Sequence, residues 1–155
     1  MSGPKSPVGA EGQAALMYRQ AILDHYKSPR NWGTTDPVDV RHEGENPLCG
    51  DRITVTLALD GERIVDARFE GTGCAISQAA ADIFLGEVKG KTAADVTAMD
   101  RDTIVALLGI TLSPARVKCA VLGLEVTRDG LRIRAGELEA GGPSRTELTS
   151  YRKGS

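Results

Sequence analysis

Cys49-Gly50-Asp51, Cys74 and Cys119 are the residues of this chain whose types could do chemistry together. Cys49 and Asp51 flank one glycine, so an extended backbone, with its side-chain period of two, puts thiol and carboxylate on the same side. Gly50 then lets the loop approach a bound ion closely. Cys74 follows 25 residues later behind Gly71 and Gly73, at the predicted start of a helix, where the dipole favours a thiolate. Cys119 comes 45 residues further on, in Ala115-Arg116-Val117-Lys118-Cys119, and the charges of Arg116 and Lys118 predict a thiolate there as well. Three thiolates and one carboxylate form a sulfur-rich donor set suited to tetrahedral Zn2+ or to iron in a cluster.

Other readings of these residues stay open at this level. No CxxC pair is present, and isolated cysteines also serve as small buried apolar side chains. A cysteine nucleophile needs a base, but His25 lies on a predicted N-terminal helix and His42 in an acidic loop, positions suited to surface or capping roles. Gly71-Thr72-Gly73 resembles a piece of a phosphate loop, yet no complete nucleotide-binding motif follows it.

The totals narrow the class. At 155 residues the chain can bury one substantial core, which predicts one domain with tails. Lys and Arg number 19 against 21 Asp and Glu, a net charge of −2, and no segment is dense in basic residues, so nucleic acid is not expected as a partner. The longest apolar runs, such as Ile53 to Leu59 with its two threonines, fall far below the roughly 18 residues of a membrane span. The first fifteen residues lack the apolar stretch of a secretory signal. Three cysteines are also an odd number for a disulfide framework, and together these features predict a soluble, cytoplasmic protein with free thiols and no membrane partner.

The elements that must position the thiols follow from periodicity. Ala14 to Lys27 predicts a helix stopped by Ser28-Pro29, with Leu16, Ala21, Leu23 and Tyr26 as packing residues. Val38 and Val40 suggest a short edge strand running into a loop through His42 to Pro47. Ile53, Val55, Leu57 and Leu59 alternate with smaller or polar residues, and Asp60-Gly61 turns this strand into a second one through Glu70, a β-hairpin. A helix with Ile76, Ala79, Ala80, Ile83 and Phe84 on one face begins close to Cys74, and Thr92 and Asp100 cap two shorter helices, the second stopped by Gly109. Ser113-Pro114 can open a helix through Cys119, while Val121 to Ile133 equally fits a hairpin turning at Asp129-Gly130. Strands first and helices later predict an α+β fold, an antiparallel three-stranded sheet packed against several helices. The expected organisation is a disordered leader over 1–15, a domain over 16–127, and an atypical, partly disordered C-terminal tail over 128–155.

Four segments together carry a resemblance: His25-Tyr26-Lys27-Ser28-Pro29-Arg30-Asn31-Trp32-Gly33, Asn46-Pro47-Leu48-Cys49-Gly50-Asp51, Gly71-Thr72-Gly73-Cys74-Ala75-Ile76-Ser77 and Pro114-Ala115-Arg116-Val117-Lys118-Cys119-Ala120. In this order, over about residues 17 to 122, they resemble the U-type iron-sulfur cluster assembly family: IscU, SufU and the NifU N-terminal domain. The resemblance implies that Cys49, Asp51, Cys74 and Cys119 bind Zn2+ or hold a transient [2Fe-2S] cluster. It also implies a cysteine desulfurase as sulfur donor and iron-sulfur apo-proteins or carrier proteins as recipients. Lys118 before the third cysteine is similar to SufU, a zinc-bearing sulfur acceptor, whereas the short step from Cys74 to Cys119 lacks the SufU insertion and is similar to IscU, a scaffold rather than an enzyme. The stretch Leu112 to Lys118 only partly matches the IscU chaperone-binding motif, and Gly123, Thr127 and Asp129-Gly130 interrupt the amphipathic helix with which the family usually closes. On this reading Cys49, in the most exposed loop, is the expected persulfide acceptor, with Gly50, Arg116 and Lys118 in support.

Overall fold

The structure, a computed structural model, describes residues 10–136 and 144–145. The chain runs as α1 (Ala10–Lys27), β1 (Val40–Asn46), β2 (Asp51–Asp60), β3 (Arg63–Thr72), α2 (Ala75–Val88), α3 (Ala93–Thr97), α4 (Arg101–Leu108), α5 (Pro114–Ala120), α6 (Leu122–Arg134) and β4 (Ser144–Arg145). Strand order is β3-β2-β1-β4. The first three strands form the antiparallel meander that the sequence predicts, and β4 adds two residues in parallel beside Gly44 and Glu45.

The alternation in β2 works as expected. Ile53, Val55 and Leu57 are at most 1% exposed and lie opposite Gly44, His42 and Val40 on one side and Gly71, Phe69 and Ala67 on the other. Helices α2 and α6 cover the sheet and bring Ala80, Phe84, Leu85, Leu122 and Leu124 into the same core. Each such large side chain contributes about 1.5–3 kcal/mol by leaving water. The β2–β3 turn is two residues, Gly61-Glu62, with Gly61 at φ 64°, a conformation that favours glycine.

The helix starts are those the side chains dictate. Thr92 and Asp95 form a reciprocal capping box, Asp100 caps α4, and Ser113 Oγ accepts from the Arg116 amide at the start of α5. Gly109 at φ 71° ends α4.

Three elements depart from expectation. Helix α1 starts at Ala10, inside the expected leader, and packs through Ile22, whereas Leu16, Leu23 and Tyr26 are exposed. Residues 42–46, expected as loop, belong to β1 and pair in full register with β2, because pairing satisfies the backbone whatever the side chains are. The stretch after Cys119 is not a hairpin but one helix, α6, running through Thr127, Asp129 and Gly130. Thr127 turns its hydroxyl back onto the Gly123 carbonyl at 2.8 Å, so a polar residue is satisfied inside the helix. The remainder of the leader, and most of the tail expected from 128 onward, lie outside the described residues.

Candidate metal centre

The β1–β2 connection is the four-residue turn 47–50, in which the amides of Cys49 and Gly50 both donate to the Asn46 carbonyl. Cys49 and Asp51 therefore do not share a side through an extended backbone. Gly50 at φ 74° reverses the chain and brings Cys49 over the end of β2. A Cβ on Gly50 would meet nothing within 4 Å, so this glycine supplies a conformation rather than room for an ion.

Asp51 opens β2 and is 1% exposed. Its Oδ1 accepts from the Cys74 amide at 2.8 Å, and its Oδ2 lies 3.9 Å from Cys74 Sγ, so one carboxylate ties two loops together. Cys74 is the N-cap of α2, where the sequence pointed. Cys119 closes the group from α5: its Sγ lies 3.5 Å from Cys49 Sγ. One ligand atom each from Cys49, Asp51 and Cys119 all lie within 4.8 Å of one another, while Cys74 sits beside this trio through its contact with Asp51.

These distances suit a metal. Two sulfurs bound tetrahedrally at about 2.3 Å stand about 3.8 Å apart, against 3.5 Å here. A disulfide would require about 2.05 Å, and all three cysteines are free.

The electrostatics depart from expectation. Arg116 is exposed, and Lys118 is buried with its ammonium pulled below the ordinary value by burial and by Arg101, Glu125 opposing. Neither is among the groups that shift the Cys119 thiol. Burial, hydrogen bonds with Asp51 and Cys49, and the charges of Cys74 and Asp51 push the Cys119 thiol far above the ordinary range. A divalent cation among these groups would offset the like charges and favour the thiolate by coordination.

Two residues outside the expected ligand set shape the geometry of this group. Asn46 is fully buried; its Nδ2 points at Cys119 Sγ at 3.5 Å while its Oδ1 accepts from the Leu48 amide, fixing the Cys49 turn against the thiol. Gly73, at φ 134°, leaves the space that Asp51 occupies: a Cβ there would stand 2.2 Å from Asp51 Oδ1. The placement of both residues beside the cysteines in the quoted segments was the available signal.

The histidines serve elsewhere. His25 Nδ1 meets Oδ2 of fully buried Asp82 at 2.5 Å, and Asp82 also accepts from the amides of Arg30 and Asn31. This pins the segment after α1 onto α2. His42 lies half-buried on β1, its pKa lowered by burial against the opposing charges of Asp129 and Glu43.

Comparison with known proteins places these features in a lineage. The chain is 39% identical over 138 residues to a zinc-dependent sulfurtransferase SufU of Bacillus subtilis (strain 168), covering 77% of this chain and 92% of that one. It is 32% identical over 133 residues to an iron-sulfur cluster assembly scaffold protein IscU of Thermotoga maritima, covering 76% and 94%. Among solved structures it is similar to FiSufU from Fervidobacterium islandicum AW-1, with a TM-score of 0.61, 29% identity, and coverage of 79% of this chain and 99% of that one. Residues 17–134, which include all of α6 and the four candidate ligands, match the NifU-like N-terminal domain. The chain belongs to the NifU-like N-terminal domain family.

Proposed function

We propose that this chain is a cytoplasmic iron-sulfur cluster assembly protein that holds one metal centre through Cys49, Asp51, Cys74 and Cys119 and accepts sulfur from a cysteine desulfurase, for transfer to apo-proteins or carriers. The observation that carries this reading is the convergence of Cys49 on the turn, Asp51 on β2 and Cys119 on α5 within 4.8 Å. Similarity to a sulfurtransferase and to scaffold proteins supports the same chemistry.

In the transfer step Cys49, exposed on its turn, attacks the outer sulfur of a donor persulfide as thiolate. The new S–S bond forms at Cys49, the donor's S–S bond breaks, and the donor cysteine leaves as thiolate with the electron pair. Cys119 and Asp51, both buried, hold the opposite side of the site and exclude water there. A bound Zn2+ or iron would supply the positive charge that keeps these thiols deprotonated. Asp51 is the harder ligand of the set, which keeps the centre exchangeable.

Lys118 and the sulfurtransferase relative favour a zinc-bearing sulfur acceptor. The short Cys74-to-Cys119 step favours the scaffold variant, with a [2Fe-2S] cluster as cargo.

Elemental analysis of freshly purified protein, followed by desulfurase turnover with and without it, tests the reading. About one Zn2+ per chain and faster alanine release, both reduced in Cys49→Ser, are expected. For the scaffold variant, anaerobic reconstitution should yield a cluster spectrum that Cys49→Ala abolishes. Stimulation that survives Cys49→Ser, together with unfolding on metal removal, would replace the proposal with a structural zinc module.

A further inference from the structure

Asn46 touches each of the elements that bring Cys49, Asp51 and Cys119 together, without being one of the ligands. It ends β1 and is fully buried. Its backbone pairs with Asp51 at the last rung of the β1–β2 ladder, and its carbonyl takes the amides of Cys49 at 3.2 Å and Gly50 at 2.9 Å. Its side chain reaches α5, where Nδ2 lies 3.5 Å from Cys119 Sγ.

The other end of the side-chain amide determines which atom faces the sulfur. Oδ1 accepts from the Leu48 amide at 3.3 Å. Exchanging oxygen and nitrogen would set the NH2 group against the Leu48 N–H, donor against donor, and the oxygen against the sulfur. The group presented to Cys119 is therefore a donor. Sealed from water, an amide N–H needs an acceptor. A thiol sulfur is a weak one, whereas a sulfur that carries charge, as it does when bound to a cation, is a strong one. The Asn46 N–H is thus better satisfied by a cation-bound Cys119 than by a neutral one. Unlike Asp51, the amide adds no charge to the site, so it withdraws charge from one sulfur without competing as a ligand.

We propose that Asn46 is a positioning residue of the metal centre: its side-chain amide donates an N–H···S hydrogen bond to Cys119, holding that sulfur as a ligand and lowering the charge it gives to the metal. The inference rests on the function proposed above, which places a metal among these ligands. It divides the work between the cysteines. Cys119, buried and hydrogen-bonded, is the retained ligand, and Cys49, exposed on its turn, is the one that takes up sulfur.

NMR of the full chain, nitrogen-labelled and loaded with a spin-active cadmium isotope, reads the bond directly and needs no substitution. The Asn46 Nδ2 protons should show a scalar coupling to cadmium, carried through N–H···S, and one of them should move downfield on loading. Two variants then separate donor from brace. Asn46→Asp keeps an oxygen for the Leu48 amide and removes the donor, while Asn46→Leu keeps the approximate shape and removes both. With Co2+ in the site, both should move the sulfur-to-cobalt charge-transfer band to lower energy, because a sulfur without its N–H partner gives up charge more readily. Both should also bind Zn2+ about tenfold or more weakly in chelator competition. Cadmium-loaded protein whose Nδ2 protons neither couple nor move overturns the proposal. So does a cobalt band that moves in one variant alone or in neither. In those cases the functional reading stands as long as the wild-type chain binds the metal. If it takes up neither Zn2+ nor Cd2+, both fall.

Discussion

At Gly73 one absent methyl group decides where Asp51 can stand. Its Cβ position lies 2.2 Å from Asp51 Oδ1 and 2.8 Å from Asp51 Cα, and its φ of 134° is one that L residues rarely adopt. Gly73→Ala must displace the carboxylate, and with it the bond to the Cys74 amide. Metal affinity in a chelator-competition titration should fall at least about tenfold, as a lost orienting contact typically costs. Gly50 makes the contrast. Its Cβ position faces open space, so Gly50→Ala incurs only the left-handed backbone penalty of about 1–2 kcal/mol. Denaturant unfolding should register that loss while the titration changes far less; equal loss of metal in both variants would show that Gly73 has no special part. The thiols and the carboxylate were legible from their types and from the segments around them. The route by which Cys49 and Asp51 meet was not, since a turn and an extended chain carry the same letters until Gly50 takes its positive φ.

Among the elements, α6 was the hardest to read and its glycines explain why. Gly123 and Gly130 break the helical pattern in the sequence, yet each lies where the helix touches a neighbour closely. A Cβ on Gly123 would come 3.2 Å from Ala81 Cα of α2, and one on Gly130 would come 2.9 Å from Val40 Cγ1 and 3.1 Å from His42 Cβ of β1. Glycine lowers intrinsic helix stability by about 1 kcal/mol relative to alanine. Tertiary packing, invisible in a local window, outweighs that. Gly130→Ala regains helix propensity but overpacks a buried seam, a change that costs about 1–3 kcal/mol. A net loss of about 1 kcal/mol in denaturant unfolding is therefore expected, and a stabilised variant would mean that the seam has slack. By contrast, the β2–β3 hairpin and the capped helices α3 and α4 were legible because their signals are local: strict alternation, a Gly61 turn, a Thr92–Asp95 box. In β1 the local signal failed, since its acidic residues pair only because β2 is beside them.

For the whole molecule, the question is whether the metal centre holds the fold or the fold holds the centre. Every candidate ligand sits on a turn, at the end of an element or at the start of one: Cys49 on the turn, Asp51 opening β2, Cys74 capping α2, Cys119 near the end of α5. The apolar core is built by other side chains, with Ile53, Val55, Leu57, Phe69, Phe84, Leu122 and Leu124 at most 1% exposed. A domain of about 150 residues buries roughly 70% of its unfolded surface, enough to fold without a metal tether. The ligand-bound state should nonetheless be the more stable one, by RT ln(1 + [L]/Kd), which reaches about 4 kcal/mol at a thousandfold excess over Kd. Removing metal with a chelator should therefore lower Tm while the helical circular-dichroism signal and a cooperative transition persist, and adding Zn2+ back should restore Tm. If chelation instead abolishes the cooperative transition, the loops and α5 depend on the ion for their arrangement, and the centre is a structural clasp rather than a site of sulfur chemistry.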